Sequence, residues 1–318
     1  MFSTNMLSIV LLVILTISAA NSSEIDSFTT KNVQLASSLD VINHETNRYF
    51  DQAVDLANKS GARCDEQKLY KEMRVNFRNH IGSELIHFIL ESDKVERVRP
   101  PLNQTIYKDF SIWQSLILGA YYQILKIDSS GALVQMGDHR IGSDKFEHFF
   151  GSGFRYFKKH YFKGHSVKRV LRFGIWLERY ILGATTTGVF AYADLVANFT
   201  GMRFWNHVLQ LRDDPYGKDF NYGPYVVCQD DRWVKVKTFN WASYIDDGWD
   251  EGINCSRFRT RNMTDKVLRV LEDFSIETGE KVSCPLNSDK LDAVNAKYGQ
   301  YSHWLINMDG FAPLRRIK

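Results

Sequence analysis

In the stretch "GSDKFEHFFGSGFRYF", residues 142–157, Asp144, Lys145 and His148 fall within five positions of a run that is otherwise aromatic or small. A carboxylate beside an imidazole can orient it as a general base, and a nearby ammonium can stabilise developing negative charge. The same residues also suit a helix start, since Asp144 as N-cap with Glu147 three positions later is a capping-box pattern. At helical spacing Phe146, Phe150, Phe154, Phe157 and Tyr161 share one face, while Asp144, His148, Ser152, Arg155 and Lys159 share nearly the opposite one. The phenylalanine stripe is therefore predicted core, and His148 is turned toward solvent or a polar cleft.

Two further segments place polar groups among apolar ones. "VLRFGIWLERYILGATTTG", residues 170–188, is apolar on nearly every side, which predicts a buried helix interrupted by Glu178 and Arg179. A buried carboxylate is costly unless paired, so Glu178 is predicted to meet a cation from another segment, with Lys145, His148 and Arg203 as candidates. In "VFAYADLVANFTGMRFW", Asp194 and Asn198 lie four apart on one helical face. Such a pair can hold a cation, orient a water, fix a histidine or act as an internal hydrogen-bond clamp. One shared site explains three such helices better than three accidents, and a structural ion-pair network explains them equally well. His148 with Glu178 and Asp194 would make a one-histidine, two-carboxylate set suited to manganese, iron or magnesium, with His207 as a further imidazole. None of these spacings is a dedicated ligand motif, so no metal is assigned and the cofactor is left unknown.

The elements that would position these residues read as mainly α: a helical bundle with an irregular, aromatic-rich C-terminal region containing one or two short strands. Helices are predicted over 31–59, 66–91, 107–127, 144–162, 167–187 and 189–198, the last ended by Gly201, and again over 263–276. "RWVKVKTF", residues 232–239, alternates as a strand does. Residues 7–17, "LSIVLLVILTI", form an apolar run too short to span a bilayer, followed by Ser18, Ala19 and Ala20, as in a cleaved export signal. The expected organisation is a signal peptide over 1–20, a bundle over 21–212 and a disulfide-containing region over 213–318 packed on it. An even number of cysteines, Cys64, Cys228, Cys255 and Cys284, in an exported chain predicts two bridges, and spacing leaves all three connectivities open. A net charge of +3 without a block of like charges argues against nucleic acid and leaves a membrane surface or cell-wall component as the expected partner.

The order "DKFEH" at 144–148, then Glu178 in an apolar helix containing glycine, then "DLVANFTG" at 194–201, resembles the pattern of VanZ-like proteins and of YfiM-like envelope lipoproteins. The resemblance covers about 60 residues of the middle of the chain, roughly 142–205. It implies a helical cell-envelope protein and marks Asp144, Lys145, His148, Glu178, Asp194, Asn198 and Gly201. VanZ-like proteins span membranes, whereas this chain carries charges where spans would need none. Two functional classes follow. In one the chain is a non-catalytic envelope protein whose polar residues clamp three helices. In the other it is an envelope hydrolase acting on a lipid phosphate or cell-wall precursor, with His148 as base, Asp194 or Glu178 orienting it, Lys145 and Arg203 on the developing anion, and Asp144 and Asn198 in support. No Gly-x-Ser-x-Gly elbow or His-Glu-x-x-His helix is present to choose between them.

Overall fold

Burial at three- and four-residue spacing sets the first helix, α1 (Leu39–Lys59), which turns Ile42, Tyr49, Phe50, Ala53, Val54 and Ala57 inward. The computed structural model describes residues 24–60, 63–77, 83–115 and 131–314. The predicted signal at 1–20 and residues 116–127 of the predicted 107–127 helix therefore lie outside the described residues. Residues 31–38 are not helical, because Ser38 donates its backbone N–H to Gln135 and the Ser37 hydroxyl accepts from Gly137, which holds this stretch against a hairpin. The predicted 66–91 helix is two helices, α2 (Glu66–Asn76), capped by the Asp65 side chain, and α3 (Glu84–Glu91), capped by Ser83. Residues 107–115 form turns rather than helix.

Three short strands, β1 (Arg97–Val98), β2 (Leu133–Met136) and β3 (His139–Gly142), make an antiparallel sheet that delivers the chain to α4, residues 144–162. Helix α4 contains two π-turns, His148–Ser152 and Lys158–Phe162. Its phenylalanine stripe is buried as its spacing predicts, with Phe149 added. The predicted capping box does not form: Ser143 precedes the helix without a side-chain cap, and the Asp144 carboxylate is engaged by Lys145.

Helix α5 (Val167–Tyr180) is shorter than predicted and is not buried all round. It covers its neighbours with Val170, Leu171, Gly174 and Glu178, while Trp176 and Tyr180 stay 49% and 47% exposed. After a turn and the short β4 (Val189–Phe190), α6 (Tyr192–Leu209) takes the interior position and is buried from Ala193 to Val208. Gly201 does not end it. A Cβ there would lie 1.9 Å from the Phe149 carbonyl oxygen, and one at Gly153 would lie 2.7 Å from the Gly201 Cα, so both glycines let α4 and α6 touch backbone to backbone. The helix stops at Gln210, in a left-handed conformation.

The C-terminal part holds more regular structure than expected. β5 (Val226–Gln229) and β6 (Arg232–Lys235) form a hairpin, β7 (Arg257–Phe258) pairs with β4 and β8 (Ala312–Pro313), and α7 (Arg261–Thr278) and α8 (Ser288–Tyr298) are helical. Disulfides join Cys64 to Cys228 and Cys255 to Cys284, which selects one of the three connectivities. The fold is thus mainly helical. Among the described residues, no helix is long and apolar enough to cross a membrane.

Candidate functional site

Because Asp144, Lys145 and His148 occupy the first turns of α4, and Asp194 and Asn198 one face of α6, the glycine-mediated approach of these helices brings the five together. The Lys145 ammonium, 0% exposed, donates to Asp144 Oδ2 and Glu251 Oε1 at 2.6 Å each and lies 2.6 Å from Asp194 Oδ1. His148 approaches Asp194 Oδ2 through Nε2 at 3.2 Å, and its Nδ1 lies 3.1 Å from the Asn198 side-chain oxygen. Tyr156 stands behind, its hydroxyl 3.5 Å from the Asn198 amide nitrogen. Ser256 donates to the second oxygen of Glu251 at 3.2 Å.

Glu178 adjoins this cluster but does not meet the predicted cation. Its Oε1 accepts from the Ala191 N–H at 3.4 Å, and a Cβ at Gly183 would lie 1.9 Å from the same oxygen. Burial pushes its carboxyl well above the usual range, with Asp194 and Glu24 adding to the rise, which favours the neutral form over an unpaired buried charge. Glu24, half-buried, is raised in the same way by burial and then by Glu251 and Asp194, against a hydrogen bond from Thr187.

Three carboxyl groups thus contact one ammonium, and Glu178 and Glu24 add to the negative charge gathered around it. Burial raises Asp144 against the opposing pull of Lys145, and burial pushes Glu251 up to about 7. Burial also works to raise Asp194, yet His148 and Lys145, together with a hydrogen bond from Asp144, hold it below the ordinary aspartate value. Asp194 is thus set apart from its neighbours: its carboxyl is held low while those of Asp144, Glu251, Glu178 and Glu24 are pushed up. Donor atoms of Asp144, His148 and Asp194 lie within 4.8 Å of one another, close enough to ligate one metal ion. The Lys145 ammonium already stands between the two aspartates, however, and would have to leave before a divalent ion could take its place.

Arg203 and His207 belong elsewhere. They lie nine and thirteen residues beyond Asp194 on α6, about 14 and about 20 Å along the helix axis. Arg203 donates through Nε to Asp214 Oδ2 at 2.8 Å, His207 Nε2 lies 2.9 Å from the same oxygen, and His207 Nδ1 meets the Tyr244 hydroxyl at 2.9 Å. Burial lowers the His207 imidazole, and the bond from His207 with the Arg203 charge lowers the Asp214 carboxyl against its own burial. Neither the expected Arg203 contact with Glu178 nor a His207 contribution to a metal set is formed.

Glu24 and Glu251 escaped sequence reasoning. Glu251 sits in the acidic run "DDGWDEG", whose composition reads as a solvated loop, and its partner is 106 residues away. Comparison with protein-family models, with curated proteins and with solved structures finds no match for this chain.

Proposed function

We propose that the protein is an exported cell-envelope protein, built as a helical bundle with VanZ-like central helices, in which the polar cluster clamps the fold and the protein acts through its surface. The observation that carries this reading is Lys145. Its ammonium is sealed from solvent and enclosed by carboxyls from the start of α4, from α6 and from the loop at Glu251, so it has no face left for a substrate. Removing one member of such a set leaves charge buried without compensation, which costs about 3–5 kcal/mol. Asp194→Asn and His148→Ala should therefore melt well below the parent, with manganese or zinc changing none of the transitions. Variants as stable as the parent, or a parent stabilised by either metal, would overturn the clamp.

A second reading, an envelope hydrolase acting on a lipid phosphate or cell-wall precursor, is favoured by one observation. His148 keeps 16% of its side chain exposed while the ionised Asp194 lies behind it and Glu251 is poised near neutrality. It would show itself as variants that keep the parent's stability and lose turnover of such substrates.

A further inference from the structure

Between His148 and Ala193 the chain carries eight lysines and arginines, and its single carboxylate, Glu178, is buried. The cations are Arg155, Lys158, Lys159, Lys163, Lys168, Arg169, Arg172 and Arg179, and the fold sets them on the outer side of α4 and α5. The two helices meet there, with the Lys159 ammonium 3.8 Å from the Phe173 ring centre.

Among these cations runs an apolar stripe that no described residue covers. Phe173 stacks on Trp176 with ring centres 6.5 Å apart, and Trp176 meets Tyr180 at 6.3 Å, following the three- and four-residue spacing of one helix face. Ile181 and Leu182 continue it into the turn and are also exposed. Arg259 donates to the carbonyls of Trp113 and Thr185, which sets Trp113 beside the same turn at 87% exposure. A helix with tryptophan, tyrosine and aliphatic side chains on one stripe and arginines and lysines flanking it has the composition of a segment lying in a membrane interface. The aromatics enter the headgroup level and the cations meet acidic lipids.

We propose that this face, centred on α5, docks on the surface of a bilayer containing acidic phospholipids. The charge complementarity commits it to that occupant, because the exposed charged groups of the segment are all cationic and its one carboxyl, Glu178, is buried. The proposal rests on the reading that the protein works through its surface, and it names the partner. Its test does not involve the clamp residues, so the two can fail separately.

The full chain, with both disulfides intact, is sedimented with phosphatidylcholine vesicles and with vesicles that also contain phosphatidylglycerol. Three variants are compared: Arg172→Glu within the face, Trp176→Ala/Tyr180→Ala in the stripe, and Arg269→Glu, which makes the same charge change on an exposed position of α7. The parent should bind the acidic vesicles and not the neutral ones, Arg172→Glu should weaken binding roughly tenfold, and the stripe variant should weaken it even at low salt. Arg269→Glu should bind like the parent. Absence of binding to acidic vesicles overturns the proposal, and so does equal loss from Arg172→Glu and Arg269→Glu, which would mean net charge alone. Binding to heparin or an oligonucleotide that survives loss of Trp176 and Tyr180, with none to vesicles, would assign the face to an anionic polymer instead.

Discussion

At the scale of single residues, the central cluster makes stability depend on pH in a definite direction. An unfolded glutamate titrates near 4.3, whereas burial, opposed by Lys145 and reinforced by Asp144 and Asp194, carries folded Glu251 up to about 7. A carboxyl raised in the folded state gives stability that is complete below the unfolded value and is lost as pH rises through the folded one. Glu24 and Glu178 are raised as well, and their contributions have the same sign. Asp194, held low, contributes in the opposite sense, and only at pH below the ordinary aspartate range. Denaturation midpoints should therefore fall from about pH 5 to about pH 8, with Glu251 alone responsible for on the order of 3 kcal/mol. Urea titrations of the parent and of Glu251→Gln at both values test this through the slope with pH, whatever the variant's absolute stability. A parent that gains stability toward pH 8, or a variant with the parent's slope, would refute it.

At the scale of elements, the site exists because α4 and α6 approach closely enough for their side chains to share charge. Gly201 makes that approach, and Gly201→Ala would push a methyl group into the Phe149 carbonyl, an overpacking of backbone on backbone worth about 3 kcal/mol. An alanine variant melting with the parent would show that the helices are free to separate. This half of the site was legible in the sequence. His148 and the phenylalanine stripe on α4, and Asp194 with Asn198 on α6, are each placed by spacing within their own helix, and helical periodicity is local. Lys145 was legible as a member but not as a saturated one, because Glu251 pairs with it across 106 residues and no periodicity links them. Phe149 joins the core because Trp241, Tyr244 and Trp249, all distant in sequence, pack against it, which a helical wheel of α4 cannot foresee. The exposure of α5 departs from the buried helix its composition predicts, for a related reason. An apolar helix face has the same composition whether it meets other helices or a partner outside the chain, and α6 had already taken the interior.

At the scale of the whole molecule, the disulfides fasten the parts that hydrophobic burial distributes. Cys64–Cys228 ties the connection between α1 and α2 to the β5–β6 hairpin across 164 residues of sequence, whereas Cys255–Cys284 spans 29. The hairpin is also held to α1 by Asn58, whose side-chain amide donates to the Trp233 carbonyl while its oxygen accepts from the Trp233 N–H. The bridge therefore closes over a contact the folded chain already makes, and its main effect is to restrict the unfolded chain. Loop-closure entropy puts the longer bridge at about 5 kcal/mol and the shorter at about 3.5 kcal/mol. Cys64→Ser/Cys228→Ser should accordingly lose more stability than Cys255→Ser/Cys284→Ser, each measured by urea denaturation under oxidising conditions. The reverse order would mean that the shorter bridge holds the loop of Glu251 in place against the charge gathered around Lys145, and that the cluster depends on the disulfide rather than on its own ion pairs.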